Sequence, residues 1–136
     1  MRAVVVKVKE IVSWDKVGMA LSLLCALHCI LTPIVMLSLP IMARYYLAHP
    51  MFHVALALAI VPVGLFAFVL GYKHHHRSQV FWLGIPGLLI VAFIPVFFHS
   101  YLSWWLEPLL MLLGSSLLIY AHWMNRRSCS CSMHRA

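Results

Sequence analysis

The most chemically distinctive stretch of the chain is Cys-Ala-Leu-His-Cys, residues 25–29, because it lies inside an otherwise apolar run. On an α-helix, this spacing puts Cys25, His28 and Cys29 on one face. The same face is the least lipid-like one of the first span, because it also carries Gly18, Ser22, Thr32 and Met36, and we expect it to border the bundle interior. Two sulfurs and one imidazole nitrogen can then converge on a single ion without a change in the backbone. An ionisable side chain such as His28 is costly at membrane depth and marks a functional site by default. The pattern therefore favours a site for a soft metal ion.

Other interpretations of these three residues stay open at the level of sequence. A disulfide is disfavoured, because Cβ atoms four residues apart on a helix are about 5–6 Å apart, whereas a disulfide needs about 3.8 Å. Local unwinding at Pro33, which cannot donate to the carbonyl of Cys29, would relax that limit. Free cysteines also pack as small apolar residues, and His28 would then be a neutral imidazole hydrogen-bonded to a neighbouring helix.

Further metal-ligand types occur near the ends of the apolar runs, so that ligands fall at three depths. An outer group of nitrogen and oxygen ligands, suited to a borderline divalent ion, consists of His49, His53, His99 and Glu107. An inner group contains the Cys-x-Cys pair Cys129 and Cys131, on a polar tail that we predict to be mobile, together with His74, His75, His76, His122 and His134. Ligands at three depths would allow an ion to be captured, moved through the membrane and released.

The composition of the chain is that of a membrane protein. Of 136 residues, 64% are hydrophobic and 10% are charged, and the mean hydropathy is +0.96, far outside the soluble range. Four apolar blocks, each near the ~20 residues that cross a bilayer, lie at about 17–41, 51–72, 80–98 and 106–124. We predict an all-α membrane protein with four transmembrane helices in an antiparallel bundle, because the connecting loops are short.

The flanks of this transmembrane domain, 17–124, carry most of the charge. Residues 1–16 are predicted to be a cytoplasmic or interfacial segment, with Asp15 starting the first helix, and residues 125–136 a cytoplasmic Cys/His tail. Lys and Arg near the ends of spans stay in the cytoplasm. They cluster before span one, between spans two and three and after span four, so both termini should be cytoplasmic. The net charge of +7 is therefore topological and does not imply nucleic-acid binding.

A removable signal peptide is an alternative interpretation of the first apolar block. The block is longer than the ~7–15 residue apolar core of such a peptide and lacks a convincing small-x-small cleavage site. The block is therefore interpreted as a membrane span.

The sequence DKVGMALSLLCALHCILTP, the four spans, the AHWMN at the end of the last span and the Cys pair in the tail resemble the MerC family of bacterial inner-membrane mercury transport proteins. The resemblance covers residues 14–131. It implies uptake of Hg²⁺ across the inner membrane by a multi-pass protein, with Cys25 and Cys29 and then Cys129 and Cys131 carrying the ion. The mercury-resistance members space the first pair as C-x-x-C, whereas this chain has C-x-x-x-C with His28 inside. An added imidazole broadens the site toward Zn²⁺ or Cu⁺.

The sequence thus predicts inward transport of a soft or borderline metal ion, by a protein that is not an enzyme. So short a chain has no nucleotide-binding loop, so movement would follow thiol affinity and an acceptor thiol in the cytoplasm. Thiols lose protons on binding metal, and His28 is one candidate acceptor. Two alternatives from other classes are a haem or redox protein with axial ligands among His28, His53 and His122, and a sensor that binds metal without transporting it.

Overall fold

The chain folds into long helices connected by short segments. The computed structural model describes residues 2–38, 50–98, 101–103 and 105–133. Its elements are α1 (Arg2–Ser38), α2 (Pro50–His75), α3 (Gln79–Phe93), which continues as a π-helical segment (Ile94–Phe98), and α4 (Leu106–Met133). The all-helical prediction is confirmed, including a start of the last helix beside Glu107 and Pro108.

In the ranges that the structure describes, four helices are long and apolar enough to cross a membrane, as predicted. The stretches that qualify are Val8–Val35, Met51–His75, Gln79–Phe98 and Leu106–Cys129. The outward surface of the bundle carries large apolar side chains such as Leu31, Leu58 and Trp82, all well exposed. Such a surface suits contact with acyl chains, since a helix satisfies nearly all of its backbone polar groups internally.

The first helix differs from the prediction at its beginning. Asp15 does not start it, because α1 is one continuous helix from Arg2. The carboxylate is completely buried and is bonded by side chains from α4 rather than by the backbone of a helix end. The rules for helix caps consider only nearby residues, so they do not predict partners more than a hundred residues away.

The last helix also differs from the prediction, at its far end. The prediction of a mobile tail is wrong for residues 125–133, which are helical. The Cys129 side chain is fully buried. It packs with Val8 and Ile11 in a small apolar cluster, because the early start of α1 provides an apolar face opposite the end of α4. The side chain of Cys131 and the residues His49, His99 and His134 lie outside the described part of the structure.

Small residues allow the helices to approach closely, as they do in many membrane proteins. A Cβ atom on Gly87 would lie 2.9 Å from Cγ of Leu118 and 3.0 Å from the carbonyl oxygen of Gly114. Gly114 in turn accommodates Ile90. These contacts bring α3 against α4, so α4 can present one face to α3 and another to α1.

Candidate metal centre

Three potential metal ligands meet between α1 and α2. They are His28, Cys29 and His53, and one ligand atom from each lies within 4.8 Å of the other two. Cys29 and His53 are buried, whereas His28 is partly exposed. This is a distance over which small adjustments of side chains can bring three atoms onto one ion.

The face of α1 that carries the thiols is turned into the bundle. Gly18, Ser22, Cys25 and Cys29 are all buried, and the leucines at 23, 24, 27 and 31 are exposed. This confirms the least lipid-like face predicted from the helical spacing. Both cysteines are free thiols and lie within hydrogen-bonding range of each other. The second sulfur is therefore next to the three-ligand group.

His28 is held from two sides. Its Nδ1 lies 3.2 Å from Nε2 of His53, and its ring stacks on Phe52 with 4.1 Å between the centroids. The hydroxyl of Thr32 donates to the carbonyl oxygen of His28 at 2.7 Å. Thr32 directly precedes Pro33, which has no N–H to donate to the helix. The imidazole is thus fixed in direction while one edge stays accessible.

His53 connects the thiols to the only carboxylate nearby among the described residues. Its Nε2 lies 3.8 Å from the sulfur of Cys29, and its Nδ1 lies 3.5 Å from Oε1 of Glu107. A carboxylate behind one ring nitrogen fixes the tautomer and directs the other nitrogen toward a metal ion. In this arrangement the Glu107 carboxylate lies behind the His53 ring at ion-pair distance, and Nε2 of His53 faces the Cys29 sulfur.

The structure does not separate the outer and middle groups of ligands that the sequence predicts. The sequence predicts His53 and Glu107 as outer ligands and Cys29 as a ligand at the middle of the membrane. In the structure these three residues form one cluster. The reason is that His28 and Cys29 lie in the second half of α1, which runs from Arg2 to Ser38. Pro50 begins α2 three residues before His53, so that imidazole lies level with them.

An apolar cavity of about 400 Å³ borders this cluster between α1 and α4. Cys29 is part of its wall, and the other lining residues are apolar or aromatic: Ile30, Pro33, Trp105, Pro108, Leu109 and Leu112. The thiol therefore has a polar neighbour, His53, on one side and an apolar space on the other. A thiolate is a polarizable ligand, and it binds soft metal ions in preference to hard ones.

A second polar group lies at the opposite end of the bundle. It joins His75 and His122, both predicted as inner ligands, to Asp15 and Asn125, which the sequence did not mark as part of a site. Asp15 of α1 accepts hydrogen bonds from Nδ1 of His122 at 2.9 Å and from Nδ2 of Asn125 at 3.0 and 2.9 Å. Oδ1 of Asn125 accepts from Nε2 of His75 at 2.8 Å. The available signal was that Asp15 is one of only three acidic residues in the chain and directly precedes an apolar run.

Comparison with known proteins bears on the same residues. A family model described as MerC mercury resistance protein matches residues 15–127. The match begins at Asp15 and includes every side chain of both polar groups. No curated protein and no solved structure matches the chain.

Proposed function

Because the chain belongs to the MerC mercury resistance family, a family of membrane transport proteins, we propose that it takes up Hg²⁺ through the site formed by Cys25, His28, Cys29 and His53. The family relates the chain to mercury and to transport across a membrane. We propose in addition which residues hold the ion, in which direction it moves and how it is released. The observation that carries it is the convergence of two imidazoles and a thiol within 4.8 Å, beside a second free thiol.

The first step is capture by the cluster between α1 and α2. A divalent soft ion binds the thiolate of Cys29 and exchanges other ligands for Nε2 of His53 and Nδ1 of His28. The Glu107 carboxylate, 3.5 Å from Nδ1 of His53, adds negative charge behind this ligand. We place this cluster toward the outer side of a bacterial inner membrane, with His49 and His99 as predicted outer ligands.

The second step is transfer from imidazole to sulfur. Cys29 can keep its bond to the ion while Cys25 replaces the histidines, because the two thiols are one helical turn apart. Mercury prefers sulfur to nitrogen as a soft metal. The exchange moves the ion one turn inward, along the buried face of α1.

The direction of transport follows from the proposed topology. Positive charges near both termini and in the loop 76–78 favour a cytoplasmic location for these segments. Asp15 meets His122 late in α4, whereas Cys29 meets His53 near Glu107 early in α4. These pairs support antiparallel packing of α1 and α4 and put the thiol cluster at the end away from the termini.

Release is proposed to use Cys129 and Cys131, as the family resemblance implies, and then a cytoplasmic thiol acceptor. Because Cys129 is buried against Val8 and Ile11, it can accept an ion only after the end of α4 separates from the start of α1. This apolar contact is small, and helix ends open more readily than helix centres. Handover is therefore the step that requires a conformational change.

Zn²⁺ or Cu⁺ is a second candidate for the transported ion. The specific observation in its favour is that two of the three clustered ligands are imidazoles, which suit Zn²⁺ and Cu ions as well as sulfur does. A mercury carrier needs no nitrogen ligands. Competition among the three ions at the same protein decides between them.

The test is uptake of radioactive Hg²⁺ by membrane vesicles that contain the protein, with Zn²⁺ and Cu⁺ as competitors. The variant Cys25→Ser/Cys29→Ser is expected to lose uptake to the level of vesicles without the protein, because both sulfurs are gone. Ser13→Ala/Ser38→Ala, which alters two exposed positions of the same helix but no proposed ligand, should keep it. Equal uptake by the double cysteine variant and the wild type would refute the proposed site.

A further inference from the structure

An apolar groove on the outside of the bundle, between α2 and α3, has no part in the proposed transport. It encloses about 500 Å³, and two residues that line it are well exposed, with 79% for Trp82 and 40% for Tyr72. Both helices are long and apolar enough to cross a membrane, so the groove faces lipid. We call it the α2–α3 groove, and its lining residues are Tyr72, Ser78, Phe81, Trp82, Ile85 and Pro86.

The α2–α3 groove has a polar end and an apolar end. Ser78 directly precedes the start of α3 at Gln79, which is also where this span begins. Pro86 lies eight residues further along the chain, which is about 12 Å along a helix. The groove thus leads from the level of the lipid headgroups into the hydrocarbon core, in the same order as the parts of a phospholipid.

Aromatic rings form the wall of the groove near the loop. The ring of Tyr72 meets Phe81 edge-on, with 5.1 Å between the centroids, and its centroid lies 5.8 Å from that of His76. His76 has φ 54°, a left-handed conformation that is uncommon outside Gly, and its N–H donates to the carbonyl oxygen of Tyr72 at 2.8 Å. This tight turn brings Ser78 of the loop into the same groove as Tyr72 of α2.

The loop end of the groove is positively charged. Lys73 and Arg77 lie between the lining residues Tyr72 and Ser78 in the chain, and both are exposed. Residues 72–86 include no Asp or Glu. Long Lys and Arg side chains at the end of a span reach the headgroups while their carbon chains stay on apolar surface. Two cations are therefore at the level of the lipid phosphates.

The carboxylates of the protein do not neutralise these two cations. The chain has only three acidic residues. Asp15 is bonded to side chains of α4 inside the bundle, and Glu107 lies beside His53 at the opposite end. Glu10 is on α1, which contributes none of the described lining residues. We therefore expect the charge that complements Lys73 and Arg77 to come from outside the chain.

The cavity beside Cys29 provides a contrast within the same protein. It has a similar volume, about 400 Å³, and a similarly apolar lining. The charged residue next to that lining is acidic, because Glu107 directly precedes the lining residue Pro108. An anionic headgroup is repelled there and attracted at the α2–α3 groove. Size and apolar character alone therefore do not select an anionic lipid.

We propose that the α2–α3 groove binds one anionic phospholipid, with an acyl chain along the apolar lining and the phosphate beside Lys73 and Arg77. Basic pockets between membrane helices bind anionic headgroups in this way, and each Lys or Arg near the headgroups strengthens the attraction about fivefold. The acyl chain adds apolar contact that a soluble anion lacks. This binding uses neither a metal ion nor a thiol, so it goes beyond the proposed function.

The test is quenching of tryptophan fluorescence by brominated lipid in phosphatidylcholine bilayers that contain the full-length protein. A small share of the lipid is either brominated phosphatidylglycerol, which is anionic, or brominated phosphatidylcholine at the same mole fraction. The difference between the wild type and Trp82→Phe isolates quenching in the groove, because Trp82 is part of its lining. We expect the anionic lipid to occupy the groove at least about fivefold more readily than phosphatidylcholine.

Two matched controls separate the groove from the rest of the surface. Lys73→Gln/Arg77→Gln should lower the preference to less than about twofold, because both charges are gone. Lys9→Gln/Lys16→Gln removes two exposed positive charges from α1 instead, and it should keep the preference. The difference between the wild type and Trp105→Phe reports on the cavity beside Cys29, where we expect no preference for the anionic lipid.

Equal quenching of Trp82 by the two lipids would overturn the inference, and this result does not depend on the folding of a charge variant. A preference that survives in Lys73→Gln/Arg77→Gln, or that Lys9→Gln/Lys16→Gln abolishes as well, would overturn it by making the attraction a property of the whole surface. Relief of quenching by excess soluble glycerol phosphate would assign the charged end to a free phosphate ester and would refute docking of a lipid.

Discussion

Replacement of Cys29 by serine is expected to weaken binding of Hg²⁺ or Zn²⁺ by at least about a hundredfold. Cys29 is the one residue that touches both parts of the site, since its sulfur lies 3.8 Å from His53 and next to the Cys25 thiol. Loss of a partner behind a ligand already costs about 10–100-fold in metal affinity, and loss of a ligand should cost more. A hydroxyl cannot replace a thiolate toward a soft ion.

The measurement is a competition titration of the purified protein in detergent against a chelator of known affinity. Cys129→Ser is the matched control, because Cys129 is an equally buried thiol in a different cluster. It should leave the affinity of the first site within about threefold of the wild type, which corresponds to less than about 0.7 kcal/mol. If both variants bind equally well, the site has been assigned to the wrong residues.

Replacement of Asp15 by alanine is expected to lower the free energy of unfolding by about 3–5 kcal/mol. The carboxylate accepts hydrogen bonds from His122 and Asn125 in a fully buried position. Its removal leaves a cavity and an imidazole with no partner on either nitrogen. Asp15→Asn should be milder, because the amide oxygen still accepts from His122.

Unfolding of the protein in mixed micelles, followed by circular dichroism as the share of denaturing detergent rises, measures this difference. Lys16→Ala is the control, since Lys16 is the exposed neighbour of Asp15 and such surface changes usually stay within about 0.5 kcal/mol. A similar midpoint for Asp15→Ala and Lys16→Ala would show that the buried network does not hold α1 to α4.

Much of the fold follows from local patterns in the sequence. The four apolar blocks have the length of a bilayer span, and the structure has a helix at each. The spacing of Gly18, Ser22, Cys25 and Cys29 also predicts the buried face of α1 correctly, because helical periodicity is a property of the sequence alone. The three-ligand group consists of residues that the sequence also singles out, but it joins His53, predicted as an outer ligand, to His28 and Cys29.

The remaining features depend on contacts between distant residues. Asp15 resembles the first residue of a helix until its partners on α4 are known, and the tail beyond residue 124 appears polar until Val8 and Ile11 cover Cys129. The relative depth of His28 and His53 likewise depends on where each helix begins. Such facts arise from packing, which no single segment specifies.

The most direct test of the central claim is X-ray absorption at the metal edge of the protein loaded with Zn²⁺ or Hg²⁺. We expect a shell of sulfur at about 2.3 Å for Zn²⁺, together with nitrogen of the imidazole type at about 2.0–2.1 Å. The sulfur shell should be lost in the Cys25→Ser/Cys29→Ser variant, and the nitrogen shell reduced in His53→Ala. A spectrum of oxygen ligands alone, or one that the double cysteine variant leaves unchanged, would contradict the account.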